Sequence, residues 1–144
     1  MLVYGIQEHN ANRAGLHYDM TLQDPNNKKK AIRFVIKKKP YIRCCATRLA
    51  IKQREHDLKF LYFQGRKVGD KKKYDGGKTG YGKGTYTLWD IGKYELVEKS
   101  KHKYLIDIKA EKLNGLYYLI KMPDYMTRKG EDNWFFRKKK PSKK

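Results

Sequence analysis

Short runs of alternating apolar and polar residues, each closed by a turn-forming cluster, are what most limits the folds open to this chain. Ile32-Arg33-Phe34-Val35-Ile36, Arg48-Leu49-Ala50-Ile51-Lys52, Phe60-Leu61-Tyr62-Phe63, Thr85-Tyr86-Thr87-Leu88-Trp89, Tyr104-Leu105-Ile106-Asp107-Ile108 and Leu116-Tyr117-Tyr118-Leu119-Ile120 are short and rich in β-branched and aromatic residues. Asp24-Pro25-Asn26-Asn27, Asp75-Gly76-Gly77 and Asn114-Gly115 are the clearest turns, the last predicting a hairpin. No window of about 12 residues holds a 3.6-residue period. The pattern therefore predicts a mainly β fold, a small closed β-barrel with short peripheral helices or loops. Closure is preferred to a sandwich because it removes exposed strand edges. One domain is expected over residues 1–137, with residues 138–144 a flexible basic tail and the Gly/Lys-rich residues 66–84 a mobile loop.

Charge narrows the partner. The 144 residues carry 35 Lys+Arg against 15 Asp+Glu, a formal net charge of +20. Positive charge is concentrated in Lys28-Lys29-Lys30, Lys37-Lys38-Lys39, Lys71-Lys72-Lys73 and Lys138-Lys139-Lys140. One such block is ordinarily a solvated loop; four in a small chain point to a polyanion, and nucleic acid repays each neutralised phosphate with released counterions. No apolar run approaches about 18 residues, which predicts no transmembrane helix, and no Lys-rich amphipathic helix suggests a membrane surface. The opening Met1-Leu2-Val3-Tyr4-Gly5 lacks a signal-peptide layout. Adjacent Cys44 and Cys45 read as reduced thiols in a half-buried strand. A cytoplasmic or nuclear protein, not a secreted one, is the expectation. The terminal lysines suit either nuclear localisation or phosphate binding.

Candidate chemistry gathers around the histidines. In a strand over Leu16 to Leu22, His17 and Asp19 project from one face. His9 precedes them across a polar stretch, Asn10 to Gly15, that can fold back. Two imidazoles and a carboxylate suit a divalent transition metal with open positions left. By spacing alone, the same residues also suit an ordinary hydrogen-bonding cluster. Arg48 and His56 are an even number of residues apart and would share a face of one extended strand, with Leu49 and Ile51 on the other. A guanidinium suits bidentate phosphate binding, and His56 suits proton donation to a leaving oxygen or a hydrogen bond to a phosphoryl group. Gly77-Lys78-Thr79 is no P-loop, because Lys72 stands where the pattern needs its first glycine.

Gln7-Glu8-His9 leading to Leu16-His17-Tyr18-Asp19, then Arg48-Leu49-Ala50-Ile51 and Glu55-His56-Asp57-Leu58, form an ordered set. It continues through Tyr81-Gly82-Lys83-Gly84, Trp89-Asp90-Ile91-Gly92-Lys93-Tyr94-Glu95, Glu111-Lys112-Leu113-Asn114-Gly115 and Asn133-Trp134-Phe135-Phe136. This set resembles the 3′-phosphoesterase domain of bacterial DNA ligase D and its free-standing relatives, over nearly the whole chain. The resemblance implies a small β-barrel with a crescent-shaped active site and a manganese-dependent enzyme acting on DNA or RNA 3′ ends. Such an enzyme removes a 3′-terminal ribonucleoside and then the 3′-phosphate, leaving a 3′-hydroxyl for a polymerase or ligase. It further implies His9, His17 and Asp19 as metal ligands, Arg48 as a phosphate-contacting arginine and His56 as the active-site histidine. Lys38 matches a lysine near the phosphate.

Departures accompany the match. The spacing from His9 to Asp19 is two residues longer than usual, which predicts a bulged His9 loop. Thr21 stands where the family has a catalytic arginine, Gln23 where an acidic residue is usual, and Phe60 where an active-site tyrosine is usual, with Tyr62 the nearest substitute. The loop between Gly65 and Tyr81 is longer and more basic. Two other functions fit some of these residues. One is a nucleic-acid-binding barrel with weakened or absent turnover. The other is an iron oxygenase built on His17, Asp19 and His56, which leaves the basic surface unexplained.

Overall fold

Alternation decides which way each strand faces. In the computed structural model, which describes residues 1–40, 43, 46–128 and 130–140, the strands are β1 (Leu2–Ala11), β2 (Gly15–Asp24), β3 (Asn27–Ile36), β4 (Arg48–Lys52), β5 (His56–Asp57), β6 (Lys71–Tyr74), β7 (Gly84–Ser100), β8 (Lys103–Ala110), β9 (Asn114–Lys121) and β10 (Asn133–Lys138). They pair antiparallel in the order β1-β2-β3-β4-β10-β9-β8-β7, and β1 returns to β7 to close an eight-stranded barrel. β5 joins β3, and β6 joins β7 as an outlying strand. The helical segments among the described residues are three 3₁₀ turns, Leu58–Tyr62, Gly77–Thr79 and Asp124–Met126. None is long and apolar enough to cross a membrane.

Even-numbered positions of the first three strands fill the barrel. Tyr4, Ile6, Met20, Leu22, Phe34 and Ile36 are buried in one cluster with Trp134 and Phe136. With a side-chain period of two, the odd-numbered Gly5, Gln7, His9, His17, Asp19, Thr21 and Arg33 lie on the outer face. β7 serves both β1 and β8, and two bulges, opposite Ile6/Gln7 and at Leu96/Glu98, bend it between them.

One buried carboxylate ties the barrel interior to a turn. Asp90, fully buried, accepts hydrogen bonds from Tyr4 Oη (2.9 Å) and from the backbone N–H groups of Lys112 (2.7 Å) and Leu113 (2.9 Å). Burial, and then the Asp90 charge, push the Tyr4 phenol well above its usual range, so it stays a donor. Because Asp90 draws those two N–H groups inward, the chain reverses at Glu111-Lys112-Leu113. Asn114 and Gly115, expected as the hairpin turn, instead start β9 opposite Lys109 and Ile108.

Three other expectations are revised. The run Phe60 to Phe63, expected as a strand, forms the 3₁₀ turn because Leu61 drops onto the outer face at Gly5, where a Cβ would collide with the Leu61 side chain. Residues 66–84 are not one loop: β6 pairs with β7, the 3₁₀ turn Gly77–Thr79 follows it, and Gly69 N–H bonds to Leu88 C=O at 2.8 Å. Lys138, expected as the first tail residue, ends β10, and Lys139 N–H bonds to Leu116 C=O. Cys44, Cys45 and residues 141–144 lie outside the described residues.

Replacing Asp90 strands a phenol and two backbone donors in the interior. Asp90→Ala should lower stability by about 3 kcal/mol in urea unfolding, since a buried donor left unpaired costs about 1–3 kcal/mol. Tyr4→Phe, which removes one donor and retains the ring, should cost less.

Candidate active site

The β1–β2 hairpin sets the first part of the site. His9 and His17 are direct cross-strand partners, and Gln7 faces Asp19 on the next rung of that face. The hairpin closes through Asn12-Arg13-Ala14 and Gly15, whose φ of +77° is the left-handed conformation that favours glycine. The extra two residues do not bulge the His9 loop as expected. The pairs Asn10–Leu16 and Ala11–Gly15 continue the ladder without a break. Two added residues lengthen an antiparallel hairpin by one rung and leave every side chain on its original face.

His9, His17 and Asp19 converge: one candidate donor atom from each lies within 4.8 Å of the others. His9 Nδ1 is 3.0 Å from His17 Nε2 and 3.6 Å from Asp19 Oδ2, and His17 Nε2 is 3.4 Å from Asp19 Oδ1. His9 Nε2 lies 2.7 Å from the Gly82 carbonyl. A carbonyl only accepts, so that contact assigns the His9 proton to Nε2 and leaves Nδ1 as a lone pair directed at the cluster. A backbone carbonyl behind a ligating imidazole is a common support for a metal ligand. The donor set and this tautomer fit a divalent transition ion.

Asp19 is 3 % exposed and also receives Arg33 Nη2 at 2.8 Å. Burial pushes its carboxyl up, but the hydrogen-bonding contact with His17 and the Arg33 charge hold it well below the usual carboxylate range. Arg33 pairs with Thr21 in the β2–β3 ladder, so its guanidinium rises from the same outer face directly beside the position that lacks an arginine. That register follows a shift between Gln23 and Asp24: Asp24 pairs with Asn27, yet Gln23 pairs with Ala31, so Lys28 to Lys30 have no β2 partner and Lys30 pairs with Asp57 of β5 instead. Gln23 spans the irregularity, accepting from Val3 N–H at 3.0 Å and donating to the Lys28 carbonyl at 3.0 Å. An acidic residue there could accept but not donate.

His56 reaches the site by a different route from the one expected. β4 ends at Lys52, and His56 opens β5 beside Ala31 of β3. His56 Nδ1 lies 2.6 Å from the Arg54 carbonyl, which assigns its proton there and leaves Nε2 as the acceptor. Burial, then the Arg33 charge, lower its pKa from the usual histidine value. Arg48 does not share this face. Ala50, two residues on, is buried in the barrel core, so Arg48 belongs to that side of β4, and its Nε donates to the Lys39 carbonyl at 2.8 Å. Lys38 lies in the exposed bend after β3. Tyr62 carries the Arg66 guanidinium 4.2 Å from its ring centroid. None of these three lines the cavity.

That cavity has a volume of about 770 Å³ and is bordered by His9, His17, Asp19, Arg33 and His56. Its far wall is aromatic. Phe63, Tyr74 and Tyr86 meet edge to face at centroid distances of 5.6–5.8 Å, and Tyr86 stacks on His9 at 4.0 Å. Burial, and then the Asp19 charge, push the Tyr86 phenol up to about 12. Sequence reasoning missed Arg33, Tyr86 and this wall. For Arg33 the available signal was a charged residue breaking the apolar run Ile32 to Ile36.

The Asp19 cluster makes a pH prediction for the metal-free chain. A depressed native pKa stabilises the fold fully above the unfolded value of about 3.9, and that contribution is lost as pH falls through the native pKa. Asp19→Asn should therefore cost about 3 kcal/mol at pH 7, with the gap from wild type narrowing below about pH 4, as read by urea unfolding at each pH.

No curated protein matches the chain. The family model for the DNA Ligase D 3′-phosphoesterase domain matches residues 7–121, a span that contains the donor trio, Arg33, His56 and the aromatic wall. On that match, and with the barrel and site in hand, the chain belongs to the DNA ligase D 3′-phosphoesterase domain family.

Proposed function

We propose that this chain is a manganese-dependent phosphoesterase that processes nucleic-acid 3′ ends, removing terminal ribonucleosides and 3′-phosphates to leave a 3′-hydroxyl for a polymerase or ligase. The observation that carries this reading is one cavity bordered by His9, His17 and Asp19, by the Arg33 guanidinium and by a neutral His56.

His9 Nδ1, His17 Nε2 and an Asp19 oxygen would hold the ion. When bound, it supplies Lewis-acid polarisation of a phosphoryl oxygen and a lower pKa for a coordinated water. Arg33 binds a non-bridging phosphate oxygen and offsets the charge that grows there in the transition state, with Asp19 orienting its guanidinium. His56, with its proton on Nδ1, uses Nε2 to accept a proton from the attacking water and can return it to the leaving oxygen. Its expected role as a donor thus becomes acceptor first. The Tyr86 phenol, neutral at physiological pH, is a further donor at the cavity wall. Lys38 and Arg48, outside the cavity, are assigned to the polynucleotide backbone beyond the reacting phosphate, where lysine and arginine contacts position a strand without reading its sequence.

The test is release of inorganic phosphate from a 3′-phosphorylated oligonucleotide with manganese. Wild type should turn over, and His17→Ala should lose both manganese uptake in calorimetry and phosphate release. Arg33→Ala should reduce kcat/KM by about 100-fold or more, with Arg33→Lys recovering part of the loss. Oligonucleotide binding without turnover in the wild type would instead support the weakened binding barrel, which the Thr21 and Phe60 departures favour.

A further inference from the structure

Two large aromatic side chains border the same cavity yet stand open to solvent. Phe60 is 47 % exposed and Tyr81 is 85 % exposed, and both line the space that holds the donor trio. Both belong to segments hydrogen-bonded to side chains of the strand that carries His9. The Phe60 carbonyl accepts from Gln7 Nε2 at 3.1 Å, and Gln7 is the outward neighbour of His9 on β1. Tyr81 immediately precedes Gly82, whose carbonyl holds His9 Nε2. The backbone that carries each ring is thereby anchored beside the same metal-ligand candidate.

The surroundings select the ligand chemistry. Behind these rings stand Phe63, Tyr74 and Tyr86, with Lys72 Nζ 4.6 Å from the Phe63 centroid. Lys83 borders the cavity, and Lys59 Nζ lies 5.9 Å from the Phe60 ring. Aromatic faces set among lysines, in a chain of net charge +20, are the pattern that binds single-stranded nucleic acid by base stacking over a neutralised backbone.

We propose that Phe60 and Tyr81 form a stacking clamp for the nucleobase of the 3′-terminal nucleotide, next to the reacting phosphate. The clamp rests on the phosphoesterase reading for its orientation, but it is a binding site in its own right. It makes the enzyme selective for ends that carry a base and indifferent to which base, because every base presents a π-face. It also gives Phe60 a function that a hydroxyl does not improve.

The experiment compares two 5′-labelled oligonucleotides ending in 3′-phosphate, one with an ordinary terminal base and one with a tetrahydrofuran abasic analogue. Binding is followed by fluorescence anisotropy in EDTA, so that nothing is hydrolysed, and at about 0.2 M salt to weaken backbone contacts. Wild type should prefer the base-bearing end by about tenfold. Phe60→Ala/Tyr81→Ala should abolish that preference while still binding the abasic end, and Tyr125→Ala, an 88 % exposed ring that does not line the cavity, should retain it. Equal binding of the two ends by wild type, or a preference that survives the double substitution, overturns the clamp. Failure of the phosphoesterase reading appears separately, as absence of phosphate release with manganese.

Discussion

A carboxylate buried on the outside of a barrel is an unusual object, and the arrangement of this face follows from keeping it ionised. Asp19 is nearly inaccessible, and desolvation alone would push its pKa up. Two imidazoles and a guanidinium surround it within 3.6 Å, so that it stays charged. Each of those partners comes from a different strand position, and two are set by the surrounding fold: His9 by the Gly82 carbonyl and Arg33 by the shifted β2–β3 register. The outcome is a set of candidate donor atoms already gathered in the metal-free chain.

The same constraint explains why a lengthened hairpin leaves the cluster intact. Register in an antiparallel pair changes face with every single residue but not with every two. One residue inserted between His9 and His17 would have turned one imidazole into the barrel interior, where Tyr4, Ile6 and Met20 fill the space. Two residues add one rung beyond the site, and the His9–His17 pairing is untouched.

Where local pattern suffices, the sequence anticipates the structure closely. β4 runs over the residues expected of it, and the side-chain period of β2 puts His17 and Asp19 on one face. His9 and His56, singled out from the residues and again by the resemblance, both line the cavity. Tertiary choices were hidden. β1 was missed because its even-numbered positions turn polar at Glu8 and Asn10, which ends the apolar alternation that Tyr4, Gly5, Ile6 and Gln7 begin. Arg48 was misplaced because β4 and β5 were taken as one extended strand, and the break after Lys52 removes the shared face. Phe60 to Phe63 has strand composition, but its backbone finds no strand to pair with above β1, and Leu61 finds a socket at Gly5.

Arg33 stands on the Thr21 rung because of a register shift that no simple count along the hairpin anticipates. Counting rungs back from the turn at Pro25-Asn26 would set Lys30 opposite Thr21. The irregularity at Gln23/Asp24 skips Lys28 to Lys30 in the β2 ladder and sets Arg33 there instead. Gln23 bridges that irregularity with one acceptor and one donor, a pairing open to an amide and closed to a carboxylate. Thr21 is 3 % exposed, in a space already shared with the outer faces of β2 and β3. A second guanidinium on the same rung would set two cations against each other over one carboxylate. Thr21, Gln23 and Arg33 are thus physically linked through one register. An arginine added at position 21 would crowd the Arg33 guanidinium over Asp19, and Gln23→Glu would keep the acceptor for Val3 N–H and lose the donor to the Lys28 carbonyl.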